Sequence, residues 1–455
     1  MLASTDGARA PRRAAAALLA ALALLGLGAA AAGAICLDAR RMAMGGTSPP
    51  RPDRLCADNP AYMVVPDRGG EGGWVLPLPL GLIDLAGNTS KLDPDDDDFD
   101  PLYVANLLAN PPIHLELKDP DPLDGDLTLD LGQNHLRLYW EDADLLIPEE
   151  PLDFGSRWER PGLGLGGRFS DRVAWRVQAA PYLDGRVETG FDDALYGVLA
   201  GGDSLKPNSR YSLDAEGRAT AGVAWKFVVA GQLPAARETE IYLAAAPKLL
   251  TAFGMADANV ELVAVTGDTL FASDSLDVEP EILTRYTDGV NMGHGIGLDL
   301  GVAIRHGPWD LGVGVRDIGA SIHFSETKLE RQYMQEGGPD DGDMVTEVLE
   351  EGAEHDYELD AIWTVNAAYS DEDWFVAGDL RVRPWGNELH LGGEKRLGPW
   401  ALRAGTHRDR RDQWQFSGGG GYSFRRISVD LALETHKRHF QDERGLALGL
   451  SLRLR

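Results

Sequence analysis

The side chains with the plainest capacity for chemistry are acidic. Asp93, Asp95, Asp96, Asp97, Asp98 and Asp100 crowd one stretch, and Asp119, Asp121, Asp124 and Asp126 crowd a second. Carboxylates at such spacings supply the oxygen ligands that a hard cation such as Ca²⁺ takes. Neither stretch has the ordered D-x-D-x-D-G spacing with a distal Glu, so both read as solvated acidic loops. Gly162-x-Gly164-x-x-Gly167 spells a dinucleotide fingerprint. It lies in an alternating strand that feeds the tight turn Ser170-Asp171-Arg172, whereas a pyrophosphate needs a helix N-terminus. The ten His are scattered, no HExxH occurs, and no nucleophile stands out beside a base and an orienting group. The expectation is a protein that is not an enzyme and uses no cofactor or metal.

The elements around these residues read as secreted and β-rich. The 455 residues carry 43 Lys plus Arg against 72 Asp plus Glu, a formal charge of −29, with 54 Gly and only 2 Cys. An acidic balance without a basic stripe argues against nucleic-acid partners, because phosphate recognition needs cations to displace counterions. Residues 1–34 read as a secretory signal: Arg9, Arg12 and Arg13, then an apolar run from Ala14 to Gly28, then Ala32-Gly33-Ala34 as a small-residue cleavage site. No later stretch is long and apolar enough for a spanning helix, which needs about 20 residues. Export permits a disulfide between Cys36 and Cys56. That bridge would close a loop of about 20 residues, worth on the order of 3 kcal/mol in the chain-entropy model. Two free thiols are the other reading, and thiol counting on unreduced protein separates them.

Beyond residue 71 the chain alternates. Leu446, Leu448, Leu450, Leu452 and Leu454 interleave with Ala447, Gly449, Ser451, Arg453 and Arg455. Ile427, Val429, Leu431 and Leu433 do the same against Ser428, Asp430, Ala432 and Glu434. Two further strands, 298–305 and 309–316, flank the turn Arg305-His306-Gly307-Pro308. Other strands are expected at 74–82, 126–131, 135–141, 161–169, 172–181, 217–230, 239–250, 258–266, 359–369, 373–381, 387–396, 399–406 and 413–424. The sum suits an all-β fold, a transmembrane antiparallel barrel of about fourteen strands.

A soluble sandwich also alternates, and three features favour the membrane barrel. Short turns at 306–308, 370–373, 396–399 and 425–426 alternate with longer polar connections at 325–356, 382–387, 406–413 and 436–444, and 338–358 reads as part of a mobile outer loop. Trp309, Trp374 and Trp400 follow the short turns while Trp385 and Trp414 mark the other end, as two interfacial girdles would. The alternate face carries Asp299, Asp310, Arg316, Asp379, Arg381, His390, Glu394, Asp430 and Arg453, both signs mixed, as a polar lumen with internal ion pairs would.

The start of the mature chain reads Leu37-Asp38-Ala39-Arg40-Arg41-Met42-Ala43-Met44-Gly45-Gly46-Thr47, followed by Asp58-Asn59-Pro60-Ala61. This resembles the opening of the FadL superfamily of outer-membrane barrels, in which a DARxMxMGGT-like segment precedes an NPA motif. The wording is most similar to PorV-like and TraF-like members. Resemblance continues in Gly295-Ile296-Gly297-Leu298-Asp299-Leu300-Gly301 with Val315-Arg316-Asp317-Ile318-Gly319, and in Leu391-Gly392-Gly393-Glu394 with Leu402-Arg403-Ala404-Gly405. The resemblance implies that an N-terminal segment folds into the lumen as a hatch, with Met44, Gly45, Gly46, Asn59, Pro60 and Ala61 as its motif residues. A Cys36–Cys56 bridge would stiffen it. The family's kinked wall strand is not placed by the sequence, and the C-terminus Leu454-Arg455 departs from the aromatic ending of many outer-membrane proteins.

The expected organisation is therefore a signal at 1–34, a hatch over 35–70 and a barrel over 71–455. The expected place is the bacterial outer membrane after Sec-dependent export, with outer-membrane lipid as a partner. Two functions fit: a FadL-like channel for hydrophobic small molecules such as fatty acids, or a PorV-like or TraF-like platform docking a secretion or conjugative-transfer apparatus. The acidic loops lean toward the platform, because they repel a fatty-acid carboxylate. A soluble periplasmic β-protein is the third reading.

Overall fold

Alternation at period two puts every second side chain on one face, so the burial of those faces decides the architecture. The computed structural model describes residues 39–47, 58–66, 74–77, 113–117, 127–131, 135–140, 152–159, 164–199, 206–234, 238–268, 276–287, 291–334, 344–408, 414–437 and 444–454. The signal, Cys36, Cys56 and both acidic clusters lie outside them.

Among the described residues twenty strands follow in chain order. They are β1 (Trp74–Pro77), β2 (Ile113–Leu117), β3 (Leu127–Leu131), β4 (His135–Trp140), β5 (Leu152–Glu159), β6 (Gly164–Ser170), β7 (Val173–Phe191), β8 (Arg210–Leu233), β9 (Thr239–Thr266) and β10 (Leu276–Tyr286). Then come β11 (Gly293–His306), β12 (Trp309–Met334), β13 (Met344–Leu359), β14 (Ile362–Ser370), β15 (Trp374–Val382), β16 (Glu388–Leu397), β17 (Trp400–Arg408), β18 (Trp414–Phe424), β19 (Ile427–Lys437) and β20 (Arg444–Leu454). All belong to one sheet, and every pairing is antiparallel.

β5 and β6 lie end to end along β7, and β1 and β4 lie end to end along β20. β10 and β11 likewise stack between β9 and β12, and β13 and β14 stack along the far edge of β12. Counting each stack once, the described strands occupy sixteen positions in the sheet. The sheet curls far enough that Gly155 of β5 sits against Trp385, between β15 and β16 on the opposite arc.

The faces are inverted relative to a soluble protein. Along β14, Trp363 and Val365 point outward and are exposed, while Thr364 and Asn366 point inward and are buried. β19 repeats this with Val429, Leu431 and Leu433 out and Ser428, Asp430 and Ala432 in. Leu311, Val313, Val376 and Leu380 extend the apolar belt around the wall. A contiguous apolar exterior of this size is disfavoured in water and matched to hydrocarbon. Trp309, Trp374 and Trp400 are exposed at the ends beside the tight turns, and Trp414 is exposed at the opposite end. Trp385 departs from the expected girdle: it is 4% exposed, packed inside against Gly155 and stacked near Arg157.

Several strands outrun the membrane. β9 has 28 residues and β12 has 26, where a tilted crossing takes about 9–11. The excess lies opposite the tight turns, so the outer parts of β7, β8, β9 and β12, joined by β10 and β13, stand beyond the bilayer. Two expectations are corrected here. The separate strands 239–250 and 258–266 are one strand, because the break in alternation at Phe253-Gly254 is a bulge, matched by a register shift at Ala221/Gly222 of β8. The expected loop at 325–356 is largely strand, β12 running to Met334 and β13 from Met344 to Leu359, including most of the acidic stretch read as mobile. Its carboxylates face water on both sides of an extramembrane sheet, where polarity does not oppose strand formation.

Candidate functional site

The interior is organised in three tiers, and the lowest seats residues 39–47 and 58–66, the described part of the segment expected from the sequence to be a hatch, hereafter the hatch. Residues Ala39–Met42 make one helical turn, and the chain reverses through Gly45 (φ 61°) and Gly46 (φ 87°). That left-handed backbone favours glycine. Space demands it too, since a Cβ on Gly45 would lie 2.5 Å from the Thr406 carbonyl oxygen and one on Gly46 2.7 Å from His390 Nδ1. His390 Nδ1–H donates to the Gly45 carbonyl at 2.7 Å, and the Gly45 N–H donates to Ser417 Oγ at 2.9 Å. Met44 is buried against Ala368, Phe375 and Ala377.

Arg40 reaches from this turn into the wall. Its Nε and Nη2 donate to the two oxygens of Glu394 at 2.7 and 2.9 Å. Arg403 Nε shares Glu394 at 2.7 Å and its Nη1 lies 2.9 Å from Asp430, which Arg453 approaches at 3.7 Å. All five side chains are at most 5% exposed.

The Asn59-Pro60-Ala61 motif forms the second foot. Asn59 Oδ1 accepts the Ala61 N–H at 3.0 Å, capping the 3-10 turn Pro60–Met63, while its Nδ2 donates to the Val302 carbonyl at 3.0 Å. Tyr62 accepts from Asn366 Nδ2, and Asp58 lies between Arg381 at 3.4 Å and Arg316 at 3.6 Å. The wall makes room with glycines: a Cβ on Gly301, Gly314, Gly392 or Gly405 would overlap the hatch within 2.2 Å. The segments 295–301, 391–394 and 402–405, singled out by resemblance, thus carry the residues that clasp the hatch.

The middle tier is a buried ion-pair layer. Asp299 holds Lys248 at 2.6 Å and Lys226 at 2.9 Å, and also accepts the Asp317 N–H at 2.9 Å. Glu159 pairs with Lys226, and Asp317 pairs with Lys248 and, at 3.1 Å, with Arg157. Arg157 binds Asp184 at 2.7 Å, and Asp184 accepts the Tyr357 hydroxyl at 2.8 Å. The outer tier is a cavity of about 350 Å³ in the extramembrane sheet, lined by side chains of β7, β8, β9, β10 and β12.

The inward residues read from the sequence are brought together in part. Asp299 and Arg316 border the middle tier; Arg381 holds the hatch at Asp58; Glu394, Asp430 and Arg453 form the Arg40 cluster. Asp310 pairs with Arg305 at 2.7 Å nearer the tight turn, and Asp379 is buried one strand from His390. Sequence reasoning misses Lys226, Lys248, Arg157, Glu159 and Asp184. The signal for the two lysines is present: each sits singly within an apolar run, Val223–Val229 and Ala244–Leu250, at the inward parity. Among the described residues no cluster of three or more His, Cys, Asp or Glu could hold a metal ion, and no helix is long and apolar enough to cross a membrane.

With this geometry in place, comparison with known proteins is informative. The family model described as "F plasmid transfer operon, TraF, protein" matches residues 169–380, just under half the chain. The chain is similar to TraF-like and FadL-like barrels. Solved structures with some likeness include the CymD monoaromatic hydrocarbon channel (12% identity, 74% of this chain and 84% of that one, TM-score 0.30). The Pseudomonas putida toluene transporter TodX has 11% identity over 67% and 88%, at a TM-score of 0.26. A Pseudomonas aeruginosa FadL homologue has 11% identity over 74% and 82%, at 0.34. At these scores the overlaps describe a likeness and carry no argument about function. No curated protein matches the chain.

Proposed function

We propose that this chain is a bacterial outer-membrane barrel of the FadL-like type, exported by the Sec route, that passes hydrophobic small molecules such as fatty acids and is closed at rest by residues 35–70. The observation that supports this most is the character of the hatch seat. Arg40, His390, Ser417, Asn59 and Tyr62 hold the plug through polar contacts, which water can replace, beside small apolar contacts at Met44 and at Ala61, Tyr62 and Val65. A seat of that kind suits a segment that leaves and returns.

The second reading is a TraF-like or PorV-like platform for a secretion or transfer apparatus. The TraF family match and the strands standing beyond the membrane favour it. Vesicles containing the mature chain and assayed for tritiated-oleate uptake separate the two. The channel reading expects uptake above protein-free vesicles and a further rise when the hatch is loosened by Asn59→Ala. Uptake at the protein-free level with both chains contradicts it and leaves the platform.

A further inference from the structure

The outer cavity has a charge order that neither reading uses. Register carries one row of side chains across four strands: Arg186 of β7 opposes Arg218 of β8, Arg218 opposes Asp257 of β9, and Asp257 opposes Arg285 of β10. Two residues further from the membrane a second row runs parallel, in which Glu188 of β7 opposes Glu216 of β8. All six side chains line the same cavity. Its inner rim is thus richest in guanidinium and its outer rim in carboxylate. Like charges directly opposite on neighbouring strands are destabilising. Here two such pairs, Arg186/Arg218 and Glu188/Glu216, sit side by side, where exchanging the members of either strand would have alternated the signs.

The ion pairs already present do not close the cavity to a ligand. Arg186 lies 3.4 Å from Glu188, Arg285 lies 2.7 Å from Glu350, and Arg218 meets Asp360, all with both partners partly exposed. Such solvated pairs add little to stability, so a ligand's charges can replace them at small cost. The rows stand two residues apart on each strand, so their Cα atoms are about 6.7 Å apart, and the Arg186 and Glu188 heads, which lean to 3.4 Å of each other, can part to that span when a ligand's charges replace their contact.

We propose that this cavity binds a small zwitterion, its anionic group against Arg186 and Arg218 and its cationic group against Glu188 and Glu216, with the two charges about 6–7 Å apart. Leu283 and Leu329 on the opposite side supply an apolar patch for the connecting atoms. The site rests on the cavity alone and stands whether the barrel conducts or docks.

The test is calorimetric titration of the full mature chain in detergent with glycylglycine, whose terminal charges have this separation. N-acetylglycylglycine, which lacks the cation, and glycylglycinamide, which lacks the anion, are titrated alongside. The expected result is saturable binding of glycylglycine, weakened tenfold or more by either cap. Arg218→Gln should erase the penalty of the amide cap and Glu216→Gln that of the acetyl cap. Both variants are first checked for the boiling-dependent gel shift of a folded barrel, and Glu188→Gln replaces Glu216→Gln if the latter fails that check. Equal binding of the three probes, no binding of any, or cap penalties unchanged in the folded variants would overturn the assignment.

Discussion

At Glu394 three guanidiniums meet one buried carboxylate: Arg40 from the hatch, and Arg403 and Arg396 from the wall. In Arg40→Ala the carboxylate keeps Arg403, so the wall survives and the loss falls on the hatch. The two charge-assisted hydrogen bonds lost are worth about 1.5–3 kcal/mol each, which corresponds to amide exchange over residues 39–47 at least about 10-fold faster. Exchange in that segment unchanged by the substitution would show that Arg40 does not hold it. Asp371 lies in a tight turn outside the membrane. The Trp374 N–H, the Tyr369 hydroxyl and the Asp373 N–H, at 2.6, 2.9 and 2.8 Å, hold its carboxyl below the usual carboxylate value. A lowered folded value gives a contribution that is complete above the ordinary carboxylate range and lost as pH falls through the lowered one. Carboxyl NMR titration should place the Asp371 midpoint below that of a solvent-exposed Asp in the same chain; a midpoint at or above it contradicts the turn geometry. At this scale the sequence is legible where parity is unbroken, as at Asp299, Glu394 and Asp430. It is opaque at Arg157, Glu159 and Asp184, whose partners come from strands far away in the chain.

Wall strands β11, β12, β16 and β17 serve the hatch by what they omit. Gly392 of β16 and Gly405 of β17 leave room where a Cβ would meet the Met44–Gly45 backbone at 2.1 to 2.2 Å. Gly392→Val should therefore keep the strand ladder, which valine favours, and expel the hatch. The measurement is protease cleavage within 39–47 of folded, detergent-solubilised chain, expected to be rapid in the variant and slow in the parent. Equal cleavage rates would mean that the close approach is not what seats the hatch. Turns and alternation make β14 to β20 readable almost to their ends. The long strands are less so, because a bulge at Gly222 and Gly254 reverses the alternation that marks a strand, and because the outer part of β13 lies in water on both faces and has no apolar side to reveal it.

The molecule as a whole is legible through its polarity. Leucine and valine on one parity and mixed charges on the other fit either an ordinary sandwich or a membrane barrel, and the burial of the charged parity selects the barrel. What the sequence alone leaves open is what fills the interior, since the hatch seat joins residues 354 and 304 positions apart and the ion-pair layer residues 160 apart. Under the channel reading proposed above, the hatch is a removable plug in a polar pore. Single-channel recording in planar bilayers compares the mature chain with its Arg40→Ala, Asn59→Ala double variant most directly. The intact chain should be silent or open only in brief events, and the variant should show steady conductance. Steady conductance of equal size in both, or a variant as silent as its parent, would contradict it.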